Sequence, residues 1–182
     1  MHYIVFDLEA TCWDNKFVGV EADQEVIEIG AVKLNEYGEL LGDFQSFVKP
    51  GIRSGLSNYC VNLTGIRQEQ IDIAKSFESV IGNFLHWVEA EGEMPVFCAW
   101  GRFDKILLKN ECARYNLEDE WIDPYVNIRE QYKRLKKLHG RLGLKSAMNM
   151  ERLEFYGNHH RALDDALNLS QIVRKHIDLW VI

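Results

Sequence analysis

Apolar side chains recur with two different periods along the chain, and each period predicts a different kind of element. From Tyr3 to Leu8 the run is apolar and β-branched enough for a buried strand. Two further strands are expected at about 25–34 and 40–48. They are joined by Asn35-Glu36-Tyr37-Gly38-Glu39, which has hairpin composition, so the chain opens as a three-stranded meander. Residues 10–23 show no period and are long for a bare connection, which marks a candidate functional loop.

Further on the spacing becomes helical. Phe77, Val80, Ile81, Phe84, Leu85 and Val88 form one stripe, with Ser76 placed to cap it. Pro95 to Trp100 is a short apolar strand, Gly101 breaks it, and Phe103, Ile106 and Leu107 begin a helix that lasts to about Tyr115. A strand near 125–128 leads into a helix with Ile128, Tyr132, Leu135 and Leu138 on one side. Helices over 145–153 and about 161–176 follow. A meander followed by strands alternating with helices predicts an α/β fold: a mixed central sheet, antiparallel meander plus parallel strands, with helices on its faces.

Composition narrows the class. A chain of 182 residues, 47% hydrophobic and 27% charged, has room for one globular domain over 1–182 and excludes disordered and collagen-like classes. No apolar run is long enough to cross a bilayer, and Asp7 interrupts the N-terminal apolar run too early for a signal peptide, so a cytoplasmic protein without a membrane partner is expected. Cys12, Cys60, Cys98 and Cys112 form no C-x-x-C pair, which predicts reduced thiols. With 28 acids against 21 bases the net charge is −7, which argues against gripping nucleic acid over the whole surface but not against a local basic groove or an acidic metal site.

Several residues then stand out chemically. Asp7 and Glu9 end the first strand as Phe-Asp-Leu-Glu, and a period of two puts both carboxylates on one side of an otherwise apolar strand. Acid-x-acid pairs are common by chance, but a sheet covered on both faces has no place for two acids unless a cation neutralises them. Asp104 falls in the first turn of its helix, where a carboxylate also complements the helix dipole. Trp100 and Phe103 are read as core aromatics. In His159-His160-Arg161-Ala162-Leu163-Asp164-Asp165 the helical wheel separates the acids: Asp165 flanks the buried stripe, and Asp164 points to solvent. The wheel does not choose between the histidines, which precede the helix.

The segments Phe6-Asp7-Leu8-Glu9-Ala10-Thr11-Cys12, Trp100-Gly101-Arg102-Phe103-Asp104 and His160-Arg161-Ala162-Leu163-Asp164-Asp165 resemble, in order, the three motifs of the DEDDh 3′→5′ exonucleases. Glu9-Ala10-Thr11-Cys12 and the stretch from Leu56 to Ile66 are similar to the branch that trims histone-mRNA 3′ ends and regulates RNA interference. The resemblance implies a ribonuclease-H-like fold. The family's histidine stands five positions before its last aspartate, which selects His160 with Asp165; the tyrosine variant would need its base where this chain has Arg161. The chain begins almost at its first strand, so the accessory nucleic-acid-binding domain of some relatives is expected to be missing.

Carried onto these positions, the resemblance makes Asp7, Glu9, Asp104, Asp165 and His160 the catalytic set. Four converging carboxylates repel one another, and two Mg²⁺ or Mn²⁺ ions about 3.5–4 Å apart would relieve this, held by Asp7, Glu9 and Asp165 with Asp104 acting through a coordinated water. His160, neutral near pH 7, would accept the proton of the attacking water. Ala10, Thr11 and Cys12 would meet the terminal nucleotide. Trp13 and Phe17, in the early loop, would stack on bases or fold back onto the core. Between Arg129 and Lys145 seven bases face the single acid Glu130, a surplus that either guides the phosphate backbone or coats a solvated helix. The expected function is removal of mononucleotides from the 3′ end of single-stranded RNA. A DNA exonuclease of proofreading or repair type, a noncatalytic binding module and a small-molecule phosphohydrolase are the competing readings.

Overall fold

Successive side chains of a strand point to opposite faces, and in the first strand this alternation sets the architecture. The computed structural model describes residues 1–14, 24–89, 92 and 95–182. Strand β1 (His2–Ala10) lies inside a six-stranded sheet between β2 (Val26–Asn35), which runs antiparallel to it, and β5 (Pro95–Ala99), which runs parallel. β3 (Leu40–Lys49) pairs antiparallel with β2, while the short β4 (Lys75–Ser76) and β6 (Tyr125–Asn127) close the edges, giving the order β4-β3-β2-β1-β5-β6. This is the expected mixed sheet.

Ile4, Phe6 and Leu8 enter a core shared with helices α3 (Phe77–Glu89) and α4 (Phe103–Arg114). Tyr3 and Val5 enter the opposite core, built with α5 (Ile128–Lys136), α6 (Leu144–Met150) and α7 (Ala162–Lys175). The next two odd positions are Asp7 and Glu9, so the same alternation turns both acids toward the α7 layer. Because β1, β5 and β6 are parallel, their C-terminal ends lie along one edge, the usual place for a ligand site in such sheets.

Two helices escape the hydrophobic pattern. α1 (Asn58–Thr64) and α2 (Gln68–Asp72) are seven and five residues long, too short to show a period. α1 is nevertheless bounded by readable signals: Ser57 Oγ accepts the Cys60 N–H at 3.0 Å, and Gly65 ends the helix in a left-handed conformation with φ 70°. Ser76, expected as the cap of the helix that follows, stands directly before α3 and is also the second residue of β4. In α4 the buried stripe is Asp104, Leu107, Leu108, Glu111 and Cys112, whereas Phe103 and Ile106 are about half exposed. Phe103 is therefore not a core aromatic. Among the described residues no helix is long and apolar enough to cross a membrane. All four cysteines are free thiols.

Candidate active site

Three elements bring the acids together at the C-terminal edge of the parallel strands. Asp7 and Glu9 come from β1, where they pair in register with Gly30 and Glu28 of β2. A Cβ at Gly30 would lie 2.0 Å from the Leu163 backbone nitrogen, so only glycine lets the start of α7 rest on the sheet beside Asp7. That contact places Asp165, in the first turn of α7, over β1. One carboxylate oxygen from each of Asp7, Glu9 and Asp165 lies within 4.8 Å of the others. Asp104 reaches over the strand end from α4, and its Oδ1 accepts the Leu8 N–H at 3.2 Å. It belongs to no metal-holding group among the described residues.

The electrostatics follow from the crowding. Burial, then the carboxylates of Asp104, Asp165, Glu9 and Glu28, hold Asp7 well above the usual range. Burial and the carboxylates of Asp165, Glu28 and Asp104 push Glu9 up to about 9. Burial raises Asp104 to about 6, against the opposing pull of its backbone hydrogen bonds and of Arg129. Acids in this condition are half prepared for a cation, and hard oxygen donors suit hard divalent ions. The residues present therefore fit a divalent metal centre.

Asp165 also orders the histidines. Its carboxylate contacts His159 Nδ1 at 2.9 and 3.1 Å and accepts the backbone N–H of His160 at 2.9 Å. His160 sits in the left-handed region, φ 64°, with its ring stacked on that of His159, the centroids 4.0 Å apart. Burial, then the neighbouring His159, lower the His160 pKa. His159 is thus tied to the carboxylate, while the His160 ring makes no protein hydrogen bond among the described residues. Asp164 lies off the buried face of α7, as the wheel expects, and its carboxylate accepts the exposed Asn158 N–H at 2.7 Å beside the turn at Gly157, φ 76°.

A fifth acid beside the site was missed. Glu28 is fully buried, receives Arg161 at 3.1 and 2.8 Å and the Ala162 N–H at 3.1 Å, and thereby anchors the α7 N-terminus to β2. The signal was the same one that drew attention to Asp7: an acid within an apolar run, Val26-Ile27-Glu28-Ile29.

The acids and both histidines line a cleft of about 420 Å³, with Ala10, Cys12 and Leu63 on one flank and Phe103 and Arg129 among the other lining residues. Thr11 and Trp13 are not in that lining. Thr11 is turned inward, its Oγ1 accepting the Glu25 N–H at 2.9 Å, because its strand end continues the pairing with β2. The Trp13 ring instead stacks under the Arg53 guanidinium at 4.8 Å. Phe17 lies outside the described residues. Part of the basic segment is also engaged elsewhere: Lys133 contacts Glu130 at 3.4 Å, Lys136 contacts Glu151 at 2.7 Å, and Lys145 covers the Phe155 ring.

Residues 4–173 match the exonuclease family typified by RNase T. ERI1 exoribonuclease 2 of Xenopus laevis is 30% identical over 202 residues, covering 97% of this chain and 28% of that protein; the chain thus spans well under half the length of that relative. The nuclease domain of 3′hExo, a DEDDh family member bound to rAMP, matches with TM-score 0.87 and 28% identity, covering 97% of this chain and 92% of the other. A structure of a 3′-exonuclease in 3′-end-specific recognition of a histone mRNA stem-loop matches with TM-score 0.90 and 26% identity, covering 100% and 84%. The ribonuclease-H-like fold expected from the sequence is the fold shared with these structures.

Proposed function

The chain belongs to the exonuclease family, and from that premise we propose that it hydrolyses single-stranded nucleic acid from the 3′ end, RNA in preference to DNA, releasing nucleoside 5′-monophosphates. The observation that carries this reading is the convergence of Asp7, Glu9 and Asp165, with Asp104 and the unbonded His160 ring beside them, in one cleft. A binding module has no use for carboxylates held this far from their ordinary ionisation.

Asp7, Glu9 and Asp165 would hold two divalent cations, Mg²⁺ or Mn²⁺, and Asp104 would act on them through water. Such ions activate water and neutralise charge on the phosphate when bound. The chain's own residues do the rest. His160, kept neutral by its burial, takes the proton of the attacking water at its ring nitrogen. Asp165 fixes the His160 backbone, and the Glu28–Arg161 pair fixes the turn that carries both. Leu63 and Phe103, both exposed to the cleft, offer apolar walls for the terminal base, and Ala10 and Cys12 its floor. Preference for RNA is supported by the relative named an exoribonuclease and by the neighbour that recognises a histone mRNA. A cytoplasmic setting belongs to the same reading, in keeping with four free thiols.

The test is digestion of matched RNA and DNA strands labelled at the 5′ end, with Mg²⁺, Mn²⁺ and EDTA in parallel. Stepwise shortening from the 3′ end, faster on RNA and abolished by EDTA, is expected. Absence of metal-dependent mononucleotide release removes the proposal.

A further inference from the structure

Beside the acidic cleft lies a cavity of opposite charge. Arg129, in the first turn of α5, lines the cleft and also an adjoining cavity of about 440 Å³ walled by Arg102, Asn127, Glu130, Gln131 and Arg134. Three guanidinium groups therefore border one space in a chain of net charge −7. Arg102 and Arg134 have no ion-pair partner among the described residues. Glu130, the one acid of the wall, is shared with Lys133 at 3.4 Å and lies 3.8 Å from Arg129 Nε. Arg129 is held in place against Gly101, where a Cβ would come within 3.3 Å of its guanidinium. Three guanidinium groups around one shared acid still repel one another, and an anion with several acceptor oxygens relieves the repulsion. Phosphate suits the planar fork of arginine because two N–H groups meet two oxygens.

The sheet order gives the cavity its place on the substrate path. Cys12 and α1 pack with Ile27 of β2, on one side of β1. Arg129 follows β6, on the other side. A strand whose terminal nucleotide sits toward Ala10 and Cys12, with its scissile phosphate at Asp7, Glu9 and Asp165, leaves the cleft past Arg129. Resting on the exonuclease reading for that polarity, the geometry points to the Arg102–Arg129–Arg134 cavity as the seat of an upstream, uncleaved phosphodiester of the bound single strand. The site holds the strand in register and takes no part in the chemistry. Of the basic surplus in the sequence, it uses Arg129 and Arg134, and it adds Arg102 from a different element.

The test uses the R102Q/R134Q protein, whose substitutions fall on exposed side chains. Binding of a 5′-fluorescein-labelled uridine octamer is followed by anisotropy with Ca²⁺ present and Mg²⁺ absent, over a range of salt, and uridine 5′-monophosphate is measured as a competitor. Expected are octamer binding weaker by about tenfold, a log–log salt dependence shallower by about 0.7 for each phosphate that the variant no longer neutralises, and unchanged affinity for the mononucleotide. Octamer affinity and salt slope equal to wild type overturn the inference, as does an equal loss for octamer and mononucleotide. Mononucleotide release by the wild-type protein separates the two ideas. Release together with unchanged binding by R102Q/R134Q removes only the arginine site, whereas arginine-dependent binding without release removes only the exonuclease reading.

Discussion

His160 is available for proton transfer because Asp165 contacts the His159 ring and accepts only the backbone N–H of His160, so that among the described residues no protein group bonds the His160 ring. Two consequences can be measured. In His160→Ala, turnover should fall by about 100-fold or more, the usual contribution of a general base, while calorimetric titration with Mn²⁺ still shows metal binding. Burial and the adjacent His159 hold the His160 pKa below its ordinary 6.5, and the active form is neutral. With the metal ion saturating, the wild-type rate should therefore fall as the pH drops through the region below 6.5, and His160→Ala should show a shallower limb there. Unchanged turnover of the variant at neutral pH takes the base role from His160. At this scale the sequence spoke clearly where an acid interrupts an apolar strand, as at Asp7 and Glu9. Glu28 interrupts an apolar strand in the same way, but the sequence did not show what it holds, because its partner Arg161 lies 133 positions away. Motif position says nothing of which way a side chain turns, and the Thr11 hydroxyl is turned inward, where it accepts the Glu25 amide N–H.

Among the elements, α7 depends most on a single atom that is missing. The Gly30 Cα faces the backbone of Ala162 and Leu163, and a methyl there would have to displace the helix start that carries Asp165. Gly30→Ala should cost about 1–3 kcal/mol in thermal or urea unfolding, the range for overpacked cores. It should also lower activity more than that stability loss explains at temperatures where the protein remains folded. A variant that is both stable and fully active would show that α7 can shift without disturbing the acids. Long elements such as α3 and α7 were legible because their apolar stripes run for three turns or more. α1 and α2 were not, since helices of one or two turns owe their existence to caps and to the core beneath them, here Ile27, Cys60, Ile66 and Ile71. Phe103 was misplaced for a related reason: three apolar residues suggested a stripe, but the buried face of α4 includes Asp104 and Glu111.

For the molecule as a whole, the acidic centre sets folding against charge. Glu9 ionises near 4.5 in an unfolded chain and near 9 in the metal-free fold. Folding therefore takes up a proton between those values, and the contribution of Glu9 to stability is fully present below about 4.5 and is lost as the pH rises toward 9. The melting temperature of EDTA-treated protein should fall over that window. Mg²⁺ or Mn²⁺ should raise it, most strongly at the alkaline end where the carboxylates are free of competing protons. A metal-induced shift that is the same at pH 5 and pH 9 would contradict this coupling.

Glu151 works in the opposite sense. Burial alone would raise its pKa, but Lys136, Lys175, Tyr132 and His176 outweigh burial and hold it well below the usual carboxylate range. Its contribution is present above about 4.5 and lost as the pH falls below that value. Glu151→Gln should cost about 1–3 kcal/mol, since both lysines are partly exposed and screened, and should move the acid unfolding midpoint upward. The residue closes α6, grips Lys136 and Tyr132 of α5, and grips Lys175 of α7. It is a common rivet for two levers: α5 bears Arg129 and Arg134, and α7 bears Asp165. Slackening that rivet, from outside the cleft, would let the phosphate-gripping rim and the cation-holding floor drift together, so strand affinity and cleavage should decline in step.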